Sequence, residues 1–255
     1  MWAPDRVAKR EDLFATSGDY LRIFKIGDDG SVKMKSLLNN NKQTMYCAPL
    51  TSFDWSERDP TLIGTSSIDT TCTIWNVETG QAKTQLIAHD KEVYDFVFAP
   101  LNDVFASAGA DGSIRMFDLR SLEHSTILYE APSLSPLLRL SWNTMDPNYV
   151  ATMLADECRI VVLDIRSASV PVAELVGHSK SINALTWAPH SSCHLASAGD
   201  DGQALIWDLT QLPISGDDAY LTFNAEDSIN ALQWSTAHPD WVSIAHGKTM
   251  QILRV

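Results

Sequence analysis

Residues 177–208 read GHSKSINALTWAPHSSCHLASAGDDGQALIWD. The stretch opens on Gly177-His178 and closes on Trp207-Asp208. Between these ends lie three strand-like runs, Ile182 to Trp187, Leu195 to Ala198 and Ala204 to Trp207, rich in β-branched and aromatic residues. A Pro-His-Ser-Ser loop separates the first two runs, and Asp200-Asp201-Gly202 separates the last two. The second segment suits a tight hairpin, because glycine accepts positive φ without steric cost and aspartate tolerates it. A unit of this kind is one small sheet that cannot bury both of its faces alone, so it requires copies of itself on either side.

The copies are present. Trp187, which ends the first run, has counterparts at Trp55, Phe98, Trp142 and Trp234, spaced 43, 44, 45 and 47 residues apart. A later anchor recurs as Phe24, Trp75, Phe117, Leu163, Trp207 and Leu253. A shared period near 45 belongs to four-stranded propeller blades and not to helical repeats of about 34 residues. The Gly-His opening and Trp-Asp ending resemble those of a WD repeat.

The predicted architecture is therefore all-β, a single WD40-type β-propeller domain over residues 1–255 with about six blades. The blades fall near 1–44, 45–88, 89–132, 133–176, 177–224 and 225–255. The first supplies only three strands, with Met1-Trp2-Ala3-Pro4 standing where the innermost strand belongs. The last also supplies only three, giving 22 strands in all. That deficit leads to the expectation of an N-terminally truncated seven-bladed propeller whose last blade exposes a sheet edge, a site prone to association.

Composition narrows the function classes. Nineteen Lys and Arg stand against 32 Asp and Glu, a net charge of −13, which argues against direct binding to nucleic acid or to anionic membrane. Cys47, Cys72, Cys158 and Cys193 are far apart and form no C-x-x-C pair, so a disulfide framework is not expected and a reducing compartment is. No apolar run approaches the ~18 residues of a membrane span. Neither an N-x-[ST] sequon nor an apolar N-terminal signal core occurs. A soluble intracellular protein is the expectation.

Within the repeat, His178, Ser197, Asp201 and Trp207 match the WD-repeat tetrad in type and order. Its logic is a buried chain in which indole N–H donates to hydroxyl, hydroxyl to imidazole and imidazole N–H to carboxylate, each group paired. His89, Ser107 and Asp111 repeat the offsets with Phe117 in place of the indole. Thr65, Asp69 and Trp75 repeat them without a histidine, and Thr152 with Asp156 leads only to Leu163. A Ser-His-Asp set also invites a hydrolase reading. No G-x-S-x-G elbow surrounds any serine, and the set recurs with degradation along the chain, which fits structure rather than catalysis. His190, Cys193 and His194 lie within five residues, without a second ligand pair at zinc-site spacing; they read as solvated turn residues. No phosphate loop, H-E-x-x-H or EF-hand loop occurs. No enzyme, cofactor or metal is expected.

Several stretches carry a closer resemblance: CAPLTSFDW (47–55), GTSSIDTTCTIW (64–75), TQLIAHDKEVYD (84–95), EHSTILYE (123–130), WAPHSSCH (187–194), DDGQALIWD (200–208) and PDW…QILRV (239–255). They resemble the anthocyanin-regulatory WD40 family, with its transparent-testa-glabra and light-regulated members and an animal member named as a cullin-4 ligase associated factor. The resemblance implies a non-enzymatic scaffold of nucleus and cytoplasm. Its expected partners are Myb and basic helix-loop-helix transcription factors or protein kinases; the alternative is a substrate receptor of a cullin-4 ubiquitin ligase. Adaptor docking in that ligase class resembles a W-D-x-R ending of a third strand. Phe117-Asp118-Leu119-Arg120 and Leu163-Asp164-Ile165-Arg166 are the matches, both without the Trp. The family's partner ring carries over to Glu92 and Tyr94, Ser181 and Asn183, Ser228 and Asn230, then Ile68, Ala110 and Asp200. Tyr94 is the expected anchor, since interface hot spots favour large rigid aromatics.

Overall fold

A computed structural model describes residues 1–4, 12–39, 48–155, 157–167, 170–212, 214–216 and 219–255. The chain forms two compact units, Met1–Thr126 and Ile127–Val255.

The first unit holds three sheets. β1 (Leu13–Thr16), β2 (Leu21–Ile26) and β3 (Val32–Leu38) make the first blade. β4 (Leu50–Trp55), β5 (Leu62–Ser67), β6 (Thr71–Asn76) and β7 (Gln81–Ile87) make the second. β8 (Val93–Phe98), β9 (Val104–Gly109), β10 (Ser113–Asp118) and β11 (Ser121–Glu130) make the third, and the boundary between the units falls within β11. The second unit holds three more. β12 (Leu137–Trp142), β13 (Tyr149–Leu154), β14 (Arg159–Asp164) and β15 (Ala173–Val176) make the fourth blade. β16 (Ile182–Trp187), β17 (His194–Gly199), β18 (Gln203–Asp208), β19 (Ile214–Gly216) and β20 (Leu221–Asn224) follow, and β21 (Ile229–Trp234), β22 (Trp241–His246) and β23 (Thr249–Arg254) make the sixth blade. All 22 expected strands are found, in antiparallel meanders, as the alternation of apolar runs and Asx-Gly turns dictates. The fold is that of a WD40 β-propeller with six blades.

Two features depart from the expected count. β19 is a 23rd strand among the described residues, and it pairs parallel to β15 instead of joining its own blade. The connector between β18 and β20 is long enough to swing to the neighbouring blade and cover its unpaired edge, which edge strands generally require. At the start of the chain, Trp2 bridges Phe14 antiparallel, with Ala3 N–H donating to Leu13 O at 3.0 Å and Ala15 N–H to Met1 O at 2.8 Å. Residues 1–3 thus occupy the inner-strand place in the first blade. At the other end β23 is the edge of its sheet, with Met250 and Ile252 exposed.

Neighbouring blades within each unit are welded by apolar clusters. Leu21, Ile23, Trp55, Ile63 and Trp75 join the first two blades, and Ile74, Phe96, Phe98, Phe105 and Phe117 join the second and third. Gly64 permits the second of these contacts: a Cβ there would lie 2.0 Å from Phe96 Cζ, so only glycine lets the ring sit against the β5 backbone. In the second unit, Ile160, Val162, Trp187 and Trp207 join the fourth and fifth blades, and Ala196, Ala198, Trp234 and Ile244 the fifth and sixth.

Candidate functional site

The fifth blade contains the complete tetrad. Trp207 Nε1 donates to Ser197 Oγ at 2.9 Å, Ser197 Oγ stands 2.8 Å from His178 Nε2, and His178 Nδ1 stands 3.0 Å from Asp201 Oδ2. β-Ladder register fixes the set: Leu195 pairs with Trp207 and Ser197 with Leu205, on strands joined by the Asp200–Gly202 turn. Gly202 adopts φ +73° there. Burial lowers the His178 pKa, against the raising influence of Asp201. With a carboxylate at Nδ1 and a hydroxyl at Nε2, the contacts suit the tautomer that donates from Nδ1 and accepts at Nε2.

The third blade repeats the set without the indole. His89 Nε2 lies 2.7 Å from Ser107 Oγ, and Nδ1 lies 3.0 Å from both Asp111 oxygens. Burial works against the Asp111 carboxylate, but the hydrogen bond and charge of His89 and the Ser113 donors more than offset it, leaving its pKa below the ordinary value. Phe117, in the indole's place, stacks on Phe105 at 5.0 Å. In the second blade Trp75 Nε1 donates to Thr65 Oγ1 at 2.9 Å. Asp69 does not join them, since among the described residues no histidine stands between it and Thr65; its Oδ1 takes Thr71 Oγ1 at 2.6 Å and Thr71 N–H at 3.1 Å. A polar cavity of about 160 Å3 lined by Thr65, Asp69, Thr73, Trp75 and Gln85 adjoins the pair. Thr152 Oγ1 donates to Arg139 O, and Asp156 lies outside the described residues. Ser107 and Ser197 are both 0% exposed, so neither hydroxyl is placed to meet a substrate.

Three residues of the expected partner ring, Tyr94, Asn183 and Asn230, sit on a backbone feature invisible in the sequence. The inner strand carries a register shift at Leu50/Ser52, Val93/Asp95, Leu137/Arg139, Ile182/Ala184 and Ile229/Ala231. The bulged residues are Thr51, Tyr94, Leu138, Asn183 and Asn230, each four positions before the strand's closing aromatic. A β-bulge re-aims a side chain off the regular face. Two of these side chains hold the next blade: Thr51 Oγ1 donates to Val93 O at 2.6 Å, and Asn183 Nδ2 to Ile229 O at 3.0 Å. Val93 and Ile229 occupy equivalent places at the head of the following inner strand. Asn183 also donates to Asp200 Oδ1 at 2.7 Å, and Ser228 Oγ to Asp200 O at 3.3 Å. Glu92, Ser181, Asn230 and Ile68 are exposed, and Tyr94 is half-buried. Ala110 corrects the expectation. It is 7% exposed and its N–H donates to Glu92 O, so its side chain offers a partner little surface.

At the other end of the third blade, after β10, Arg120 grips the carboxylate two residues before it: Nε to Asp118 Oδ1 2.9 Å and Nη2 to Oδ2 2.5 Å. After β14, Arg166 does the same to Asp164, at 2.9 and 2.6 Å. The Arg120 and Arg166 side chains are 72% and 60% exposed. Hydrogen bonding from Arg120 brings the Asp118 pKa to about 2, and pairing with Asp164 raises that of Arg166. Each fork fixes one edge of a guanidinium and leaves its remaining N–H donors facing solvent.

The family model described as WD domain, G-beta repeat matches residues 80–118 and 169–208. A DDB1- and CUL4-associated factor 7 homolog from Dictyostelium discoideum is 60% identical over 256 residues, spanning all of this chain and 78% of that protein. The chain belongs to this WD-repeat family. A WD repeat-containing protein of Schizosaccharomyces pombe is 36% identical over all of this chain and 74% of its own length. A chain in the crystal structure of the mitotic checkpoint complex matches with a TM-score of 0.77, covering 94% of this chain and 70% of that one. At 21% identity it shows the fold alone. The expected resemblance to a cullin-4 ligase associated WD factor is thus borne out.

Other structural residues escaped the sequence reading. Trp55, Trp142 and Trp234 each donate Nε1–H to the carbonyl of a proline five residues on, Pro60, Pro147 and Pro239, at 2.6–2.8 Å. The W-x4-P spacing was the available signal. Trp187 lacks that proline and donates to Ser141 O at 3.0 Å. Asp54 and Ser141, each just before an inner-strand tryptophan, accept from the backbone N–H of the next blade's aromatic, Phe98 at 2.8 Å and Trp187 at 3.3 Å.

Proposed function

We propose that this chain is a non-catalytic substrate receptor of a cullin-4 ubiquitin ligase, docking on the DDB1 adaptor through the Asp118–Arg120 and Asp164–Arg166 forks. The observation that carries the reading is the forks themselves. Two blades hold an exposed arginine in the same bidentate geometry at the end of the third strand, ready to accept a partner carboxylate or carbonyl with little side-chain entropy left to lose. The name of the Dictyostelium relative supports the same partner. Phe117 and Leu163 fill the place of the motif's tryptophan as buried residues.

The test is affinity capture of the tagged chain from cells of its source, followed by mass spectrometry and by direct binding to purified DDB1. Recovery of DDB1 that is lost in the Arg120→Ala/Arg166→Ala double variant supports the reading. Capture of other partners with no DDB1, wild type and variant alike, overturns it.

The exposed Glu92, Ser181 and Asn230 with Tyr94 favour a second role for the same chain, holding a protein cargo. Myb, helix-loop-helix and kinase partners, and residence in nucleus and cytoplasm, belong to that reading. It ranks second, because the relative's name speaks for the ligase. Recovery of such partners through a Tyr94→Ala-sensitive contact would support it.

A further inference from the structure

The fifth blade differs from the third and fourth at the end of its third strand. Asp118 and Asp164 are each neutralised by an arginine two residues on. Asp208 stands in the same place, but Thr210 replaces the arginine and donates its N–H and Oγ1–H to Oδ1 alone, at 2.9 and 2.7 Å. Directly across the ladder from Asp208 is His194, the first residue of β17. Cys193 precedes it, held by the Leu209 N–H at 2.7 Å from its carbonyl.

From this placement we infer a divalent-cation site formed by Cys193 Sγ, His194 Nδ1 and Asp208, with zinc as its representative ion. The three ligand atoms lie within 4.8 Å of one another. Cys193 Sγ and His194 Nδ1 are 3.5 Å apart. Tetrahedral zinc, with Zn–S about 2.3 Å and Zn–N about 2.0–2.1 Å, requires a sulfur–nitrogen edge of about 3.5 Å. Ser191 Oγ already stands 2.7 Å from Nδ1 and 3.3 Å from Sγ, placed to take the fourth vertex or to yield it to a water. One thiolate, one imidazole and one carboxylate make a borderline donor set that suits zinc and its neighbours rather than magnesium or calcium. A dication would be neutralised by the thiolate and carboxylate, and the thiol proton would pass to solvent on binding. The ladder and the Cys193 carbonyl bond hold the backbone of the donor residues in place, so that only side-chain adjustment is needed to close on an ion. His190, which the spacing grouped with them, turns away to lie edge-on to Trp234 at 5.5 Å. His194 is half-buried in a strand, not a solvated turn residue.

The test uses the full chain, cleared of metal by chelation and titrated with cobalt(II), then with zinc against a chromogenic chelator. The expected result is a thiolate-to-cobalt charge-transfer band, with the intense visible bands of tetrahedral cobalt, saturating near one equivalent. Cys193→Ser should abolish the charge-transfer band. Asp208→Asn should weaken zinc binding by more than the roughly 10–100-fold typical of lost outer-shell support. His190→Gln and Cys158→Ser should change affinity by less than about twofold. Zinc should raise the unfolding midpoint of wild type but not of Cys193→Ser, which also confirms that the variant folds. No charge-transfer band at equimolar cobalt, or a band that persists in Cys193→Ser, overturns the assignment.

Discussion

Ser197→Ala probes the tetrad most sharply, because the hydroxyl serves two buried neighbours at once. It accepts the Trp207 indole proton at 2.9 Å and donates toward His178 Nε2 at 2.8 Å. Alanine fits the space but orphans both groups inside the blade. Each unsatisfied buried group costs about 1–3 kcal/mol, so the pair costs about 4 kcal/mol. At about 2–4 °C per kcal/mol, the unfolding midpoint should fall by roughly 8–16 °C. Ser107→Ala in the third blade supplies the internal standard. Ser107 meets His89 Nε2 and only the weak Cys72 thiol, so its loss should cost about half as much. Ser197→Thr should recover most of the stability, since Thr65 performs the same service for Trp75. Thermal unfolding followed by near-ultraviolet circular dichroism and tryptophan fluorescence reads all three variants. Equal losses for Ser197→Ala and Ser107→Ala, or a Ser197→Ala loss under about 1 kcal/mol, would refute the claim that the network is held by its shared hydroxyl.

Burial raises the Asp54 pKa from 3.8 to about 7, against hydrogen bonds from Phe98 and Trp55. The folded state then keeps a proton that the unfolded chain has released, so stability should fall as pH rises from about 4 to about 7, by at most about 4 kcal/mol. Urea unfolding of Asp54→Asn should lose that slope, and an unchanged slope would count against it. Asn183→Ala removes donors to Asp200 and to Ile229 of the next blade; about 1–2 kcal/mol of stability should go with them, read by the urea midpoint. Gly199→Ala places a Cβ 2.5 Å from the Ser181 carbonyl oxygen, a backbone atom that cannot swing aside. About 1–3 kcal/mol should be lost in the same assay, and a neutral result would show that the blade relaxes there.

The blades were legible because their period is written twice, in the inner-strand aromatics and in the third-strand anchors, and because Asp-Gly turns punctuate both. The tetrad was legible where four residue types kept their offsets, in the fifth blade, and three of them in the third. Asp69 keeps only the local half of its role: it takes the Thr71 donors as Asp111 takes those of Ser113, but the second blade offers no histidine to link it to Thr65. β19 was missed since three residues show no periodicity, and its pairing is decided by a neighbouring edge rather than by its own sequence. The bulges were unreadable for a similar reason: they arise from the meeting of two strands, and no one side-chain chemistry runs through Thr51, Tyr94, Leu138, Asn183 and Asn230. Asp208 and His194 were unpaired in the sequence reading because 14 positions separate them and only the ladder places them opposite each other.

The most direct measurement of the proposed role is the affinity of the purified chain for purified DDB1, by calorimetry at more than one salt concentration. The account predicts a saturable complex, with Arg120→Ala and Arg166→Ala each weakening it by about tenfold or more, as loss of a charge-assisted contact does, and with both folds intact. No binding by the wild-type chain, or binding indifferent to both arginines, would contradict it.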